Sequence, residues 1–331
     1  MGNFLDKLRS EDCQIVDETI DKEYSVIFKL SGLYPNIKTN KNILYYCIYF
    51  ILMTMTYFFV GTMYGVTSYL SIDDLPVLIQ SVHYCSLNII CFIWLCVINI
   101  KRRNLARGFK VIGTKLYDYD YNTDNIRKNI KLSKSFIRKL AIVSPQFYTI
   151  FVGSLVEFVI PLFNLITGNL SDKIYTDNGI SLNLENPTWV PYGTETTSKR
   201  IITWLIKCVD AYGIASVISS GCVLIIELTQ IVTIEMEIFI QTMEQLPQRT
   251  INLYKVKYGK NINDLTKLKE NKELDLCYQY CLKQHVVHYQ LIYELFNDTQ
   301  EVISLPLFCA YIMGAIVLAL AASAVAFVSS F

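Results

Sequence analysis

Charge is scarce in this sequence. Lys, Arg, Asp and Glu make up 18% of its 331 residues, whereas 52% are hydrophobic; a soluble globular domain carries about 25% charged residues. The apolar residues are clumped into long runs, which is typical of membrane proteins. The net charge is only +1, so the composition does not predict nucleic acid as a partner.

Several familiar signals are missing as well. The first 24 residues contain no apolar core after a basic start, so we predict no cleavable signal peptide and expect the first apolar run to be an uncleaved anchor. Asp6 stands where N-myristoylation requires Ser or Thr. The motifs G-x-S-x-G, H-E-x-x-H and the P-loop lysine motif are absent. We therefore predict no catalytic residues, no enzyme activity and no cofactor.

What the sequence does contain is five apolar runs long enough to cross a bilayer, which requires about 20 residues. They predict an all-α, polytopic membrane helical bundle. We expect a cytoplasmic N-terminal segment, 1–42, and one transmembrane domain, 43–331, whose part 227–301 is cytoplasmic. There the helix of the fourth span is expected to continue to Leu246, and a polar linker, 247–273, is expected to lead to a helix that runs into the fifth span. The predicted spans are 43–70, 76–100, 140–166, 201–226 and 302–331.

Basic residues predict the orientation of these spans. Residues 1–42 carry six Lys or Arg, the loop after the first span carries none, residues 101–139 carry twelve, 164–200 carry three and 233–301 carry eight. Because basic loops stay inside, the N-terminus is predicted to be cytoplasmic and the fifth span to exit outward, in the plasma membrane. Asn169, in the sequon N-L-S, then lies outside and is a predicted glycosylation site.

The stretch CYQYCLKQHVVHYQ, residues 277–290, contains Cys277, Cys281, His285 and His288 and resembles a zinc site. On a helix, Cys277 and His288 lie about 16 Å apart along the axis, whereas zinc lies about 2.0–2.3 Å from each ligand. One ion cannot bind all four, so we predict no metal site. The four residues share one face with apolar neighbours, which favours packing between helices; a redox or regulatory role remains open.

Polar residues inside the predicted spans are candidates for function. Lys207 and Asp210 are three residues apart, and they either pair with each other or line a wet cavity. Several polar and aromatic residues converge at one level in the outer halves of the spans, where they suit a small, volatile, weakly polar ligand; ordinary packing between helices is the alternative. The candidate ligand-binding residues are His83, Tyr84, Phe151, Ser154, Glu157, Phe158, Asp210, Tyr212 and Ser216.

The layout and three local patterns resemble the insect odorant receptors. LSGLYPN precedes the first span, NPTWVPYGTET precedes the fourth, and CLKQHVVHYQLIYELFNDTQEVISLPLFCAYIMG leads into the fifth. The resemblance implies a seven-span subunit of a ligand-gated cation channel in sensory neuron dendrites, with a cytoplasmic N-terminus. It further implies an odorant pocket in the outer halves of the spans, and a hetero-oligomer, expected to be a tetramer, with co-receptor subunits in membrane lipid.

This sequence departs from the family pattern at its end, because it stops after the fifth predicted span. We expect the sixth and seventh spans, which include the pore helix, to be absent from it, and conduction by this polypeptide alone is then not expected. The alternatives are a gustatory receptor, or a transporter or structural membrane protein. Transporters often contain paired inverted repeats, and no internal repeat is visible in this sequence.

Overall fold

The computed structural model describes residues 40–113, 115–119, 125–133, 175–182, 184, 186–260 and 271–329, and the single residues 139, 143, 147 and 159. Regular structure in these ranges is α-helical, and residues 175–188 add only two isolated antiparallel bridges. The all-α fold class is therefore confirmed. The named helices are α1 (Asn40–Leu70), α2 (Leu75–Ile100), α3 (Arg102–Gly113), α4 (Thr197–Glu244), α5 (Leu246–Tyr258) and α6 (Lys272–Ser329).

Four helices are long and apolar enough to cross a membrane: Leu44–Leu70, Leu75–Ile100, Thr197–Glu244 and Lys272–Ser323. They contain the second and fourth predicted spans, nearly all of the first, and the fifth as far as Ser323. The third predicted span, 140–166, lies outside the described residues apart from three single positions. The apolar runs thus predicted these four helices correctly.

Helices α1 and α2 form an antiparallel hairpin around a tight turn. Asp74 caps α2 by accepting a hydrogen bond from the Val77 backbone N–H, and Pro76 occupies the first turn, where a backbone N–H has no helical partner. Ser68 donates to Ser81 over 2.9 Å near this turn. The hairpin therefore begins with local signals and continues with contacts between the two helices.

Helix α4 contains 48 residues, or about 72 Å at 1.5 Å per residue. A bilayer core is about 30 Å thick, so the predicted extension of this helix beyond its span is confirmed. A polar linker was expected after Leu246, and this expectation is wrong for its first part, because 13 residues form α5. Pro247 lies in the first turn of α5, and Gly259 ends it with a left-handed φ of 67°.

Helix α6 is continuous over 58 residues, with Pro306 inside it. It joins the predicted cytoplasmic helix to the fifth span, whose apolar sequence begins at Val302, so its first half lies outside that span. At the boundary, Lys101 donates to Glu301 over 2.7 Å, and Arg107 pairs with Asp298 over 2.7 Å. These ion pairs hold α6 to the corner between α2 and α3.

The main core lies where α1, α2, α3, α4 and α6 meet. Its buried members include Trp94, Phe109, Leu224, Leu228 and Leu295. Gly221 of α4 lets the indole of Trp94 approach, because a Cβ at position 221 would come within 2.9 Å of Trp94 Cε2. Small residues at such crossings are typical of packed membrane helices.

We expect Gly221→Ala to destabilise the protein. Alanine favours a helix by about 1 kcal/mol over glycine, but the added methyl group meets a rigid indole, and overpacking costs about 1–3 kcal/mol. Gly314→Ala is the matched control, because a Cβ there meets nothing within 4 Å. Thermal unfolding in detergent should show a lower Tm for Gly221→Ala alone; an equal or higher Tm would contradict this packing.

Candidate functional site

Residues 175–196, here called the capping loop, cover the end of the bundle where α1 stops and α2 and α4 start. The loop is held together by backbone bridges from Ser181 to Tyr175 and Thr188. The hydroxyls of Ser181 and Thr194, both fully buried, lie 2.6 Å apart. Short polar side chains satisfy this irregular backbone away from water, as buried backbone requires.

Three hydrogen bonds fasten the capping loop to α1 and α2. The Trp189 backbone N–H donates to Thr67 Oγ1 over 2.8 Å, and Asn178 Nδ2 donates to the Leu70 carbonyl over 3.0 Å. Gln80 Nε2 donates to Asn186 Oδ1. The capping loop therefore closes this end of the helix bundle.

Lys207 joins the capping loop to α4. Its side chain is 4% exposed, and Nζ donates to the Asn186 carbonyl over 3.1 Å and to Thr188 Oγ1 over 2.7 Å. The same ammonium lies 5.3 Å from the ring centroid of Tyr64, within the range of a cation–π interaction. Tyr64 in turn stacks on Tyr84, with centroids 5.0 Å apart.

Asp210 lies one turn further along α4 and is 3% exposed. It accepts a hydrogen bond of 3.2 Å from Asn88 Nδ2, which also donates to the Tyr84 carbonyl. Lys207 and Asp210 thus each have a polar partner on another part of the bundle. We call Tyr64, Tyr84, Asn88, Lys207 and Asp210 the capped-end cluster.

The capped-end cluster contains two of the nine predicted ligand-binding residues, Tyr84 and Asp210. His83 is exposed on α2, with its ring 5.8 Å from that of Tyr84. Tyr212 is 48% exposed, and Ser216 donates to the carbonyl of Gly213 in its own helix. Four predicted residues and the sequon asparagine lie outside the described residues: Phe151, Ser154, Glu157, Phe158 and Asn169.

Sequence reasoning missed Tyr64 and Asn88 as members of this cluster. Asn88 gives a usable signal, because a carboxamide inside an apolar run needs a partner. Tyr64 gives none, since the first span contains several tyrosines and the sequence does not show which one faces Lys207.

The cysteine- and histidine-containing stretch lies at the opposite end of the bundle, in the first half of α6. Cys277 is buried against Tyr254 and Leu274, so its predicted packing role is confirmed. His285 and His288 are also buried, at 1% and 0% exposed. Their surroundings are polar as well as apolar, which the prediction of a packing stripe did not include.

The two histidines belong to a network of hydrogen bonds. Arg249 Nη1 lies 2.9 Å from His285 Nε2. Tyr119 Oη lies 3.2 Å from His285 Nδ1 and 2.7 Å from His288 Nδ1. His288 Nε2 lies 3.3 Å from Glu235 Oε2. We call these five residues the histidine network.

Further groups support the network. Arg127 donates to both carboxylate oxygens of Glu235, and Arg249 also donates to Gln284. Burial, followed by the charge of Arg249, lowers the pKa of His285 to about 4. Burial raises the pKa of Tyr119 to about 12. Both groups are therefore neutral near pH 7.

Both the sequence and the fold of this chain are similar to those of known proteins. Residues 74–331 match the family model described as 7tm Odorant receptor. The fold is similar to the structure of the insect olfactory receptor OR5 from Machilis hrabei, with a TM-score of 0.63 and 15% identity, over 90% of this chain and 69% of that one. No curated protein matches the sequence.

We expect Lys207→Met to loosen the capping loop. The change removes two buried hydrogen bonds from a charged donor, which are worth about 1.5–3 kcal/mol each. Lys199→Met is the matched control, because Lys199 also donates to the loop, at the Tyr192 carbonyl, but its side chain is 45% exposed. Chymotrypsin should cleave the loop faster in Lys207→Met than in Lys199→Met. Equal cleavage rates would show that Lys207 does not hold the loop.

The histidine network predicts a loss of stability between pH 7 and pH 5. The pKa of His285 is about 4 in the folded chain and about 6.5 when unfolded. As the pH falls below 6.5, the unfolded state gains a proton that the folded state does not, so the free energy of unfolding decreases. His285→Gln does not titrate and should show a smaller fall in Tm over this range. Parallel curves for the two proteins would contradict the assignment.

Proposed function

The chain belongs to the 7tm odorant receptor family, and on that premise we propose that it binds a small volatile ligand inside the membrane, at the capped end of the bundle. By this membership it is a multi-pass membrane receptor, and four described helices are able to span a bilayer. The proposal concerns where the ligand binds, what chemistry it has and what its binding controls.

The observation that carries the proposal is the capped-end cluster. It combines two stacked tyrosine rings with a carboxylate and a carboxamide that are both almost fully buried. Ligand sites in proteins are mostly apolar and aromatic with a few placed polar groups, and buried polar groups in membrane helices are functional candidates. Because Lys207 already donates to the capping loop, the cluster requires no anionic ligand. We therefore propose a weakly polar ligand with one hydrogen-bonding group.

The remaining predicted residues extend the proposal. We propose that the ligand is also contacted by His83, Tyr212 and Ser216 and, from outside the described residues, by Phe151, Ser154, Glu157 and Phe158. In the membrane of sensory dendrites, where we propose the protein lies, the capped end would face outward. Residues 1–42 would then lie in the cytoplasm. The basic residues that gather at the opposite end support this orientation. Asn169 would be glycosylated on the outer side.

We further propose that ligand binding opens a cation channel built with co-receptor subunits. Support comes from the family match and from the fold shared with an insect olfactory receptor. The transmembrane domain, 43–331, would provide the ligand site. It would also assemble with the co-receptor subunits into a hetero-oligomer.

The first test measures binding, because binding does not require a conducting pore. A ligand at 100 times its Kd should stabilise the purified chain by about 2.7 kcal/mol. A panel of volatile alcohols, ketones and esters would be screened by thermal shift in nanodiscs, and the best ligand would be titrated against Tyr84→Ala. We expect at least tenfold weaker binding in this variant, because it removes half of the tyrosine stack.

Tyr293→Ala is the matched control, since Tyr293 is 58% exposed in the half of α6 that precedes the apolar span. Equal loss of affinity in both variants would reject the capped end as the ligand site. Co-expression with a co-receptor then tests the channel: ligand-evoked current that Tyr84→Ala shifts to higher concentration supports the full proposal. Binding without current would confine this chain to ligand recognition.

A further inference from the structure

The histidine network lies at the opposite end from the proposed ligand site and is independent of it. We infer that Arg249, His285, Tyr119, His288 and Glu235 form one directional hydrogen-bond chain. It holds the two histidines as opposite neutral tautomers and latches the first half of α6 to α4 and α5. The inference follows from which atoms can donate and which can accept.

The direction is set first at Arg249. A guanidinium has five N–H donors and no acceptor, so His285 Nε2, 2.9 Å away, accepts. A neutral ring that accepts at Nε2 carries its proton on Nδ1. His285 Nδ1 therefore donates to Tyr119 Oη, 3.2 Å away.

The direction continues through the phenol to Glu235. Tyr119 has a single hydroxyl proton, and the shorter contact, 2.7 Å, is to His288 Nδ1, which accepts it. The proton of His288 is then on Nε2, which donates to Glu235 Oε2 over 3.3 Å. An ionised carboxylate only accepts. The chain therefore begins at a group that only donates, Arg249, and ends at a group that only accepts, Glu235. With both histidines neutral, this fixes which atom donates in each hydrogen bond between them.

The charges around the histidines favour the neutral forms. The groups that face them are Arg127 from residues 125–133, Glu235 from α4, Arg249 from α5 and the phenols of Tyr117 and Tyr119. With Arg127 included, two cations face one anion, so this buried site has a net charge of +1 while both histidines are neutral. A proton on His285 would raise this charge to +2, and like charges are costly in a buried site.

Aromatic rings surround the two histidines and limit the access of water that could replace a lost hydrogen-bond partner. Phe239 lies edge-on to both histidines, and Tyr117 stacks on His288. A broken link therefore leaves a buried donor or acceptor that water does not readily satisfy. The five residues come from four parts of the chain, and α6 continues without a break into its apolar half. The latch thus sets the position from which that half of α6 extends.

The decisive experiment identifies the tautomers directly. The full chain contains three histidines, so ¹⁵N-histidine labelling gives three pairs of ring nitrogen signals. His83→Gln and His285→Gln each remove one pair, which assigns all three. We expect His285 to be protonated only at Nδ1 and His288 only at Nε2 in nanodiscs at pH 7.5. The same tautomer on both rings, or a doubly protonated His288 at pH 7, would overturn the inference.

A variant tests the latch itself. Tyr119→Phe removes the central hydroxyl but keeps the ring over which the Arg249 guanidinium lies, 4.5 Å from the centroid. We expect a lower Tm and a mixture of tautomers at both histidines, whereas the exposed control Tyr293→Phe changes neither. Unchanged tautomers in a folded Tyr119→Phe protein would show that the chain does not pass through Tyr119. The measurement on the unmodified protein stands even if this variant fails to fold.

Discussion

Ionisable groups buried between helices determine much of how this bundle is assembled. Removing a charge from water costs several kcal/mol unless a partner accompanies it, so each buried charge specifies a contact with another part of the chain. Lys207 specifies the capping loop, Asp210 specifies α2, and Glu235 specifies residues 125–133 and α6. Apolar packing holds the helices together, whereas these polar contacts fix which faces and which levels meet.

Helix α4 carries all three of these charges. Lys207 and Glu235 are separated by about 42 Å along its axis, and between them Gly213 and Gly221 lie against Tyr57 and Trp94. The capped-end cluster and the histidine network are therefore attached to one helix, with a close-packed middle section between them.

The sequence was sufficient for those features that depend on neighbouring residues. Runs of apolar residues predicted α1, α2, α4 and the second half of α6, because the length of such a run is read locally. Helix α5 was missed because its composition is polar and its signals, Pro247 and Gly259, are also those of a linker. The clusters were missed for a different reason: Asn88 and Asp210, and likewise Arg127 and Glu235, are more than 100 residues apart. Burial of His285 and His288 was predicted from helical spacing, but their partners lie on other elements, which spacing cannot reveal.

Helix α6 is continuous, so its two halves move together unless the helix bends. The histidine network fixes the first half, and Pro306, which lacks the N–H needed for a helical hydrogen bond, lies about 27 Å beyond His288. Proline is a common cause of sharp helix kinks. A bend of about 20° at Pro306 would displace the C-terminal end of α6, at Ser329, by about 12 Å, while the first half of the helix kept its position. With its first half fixed by the histidine network and a bend at Pro306, α6 would convert a small change of angle into a large lateral movement within the bilayer.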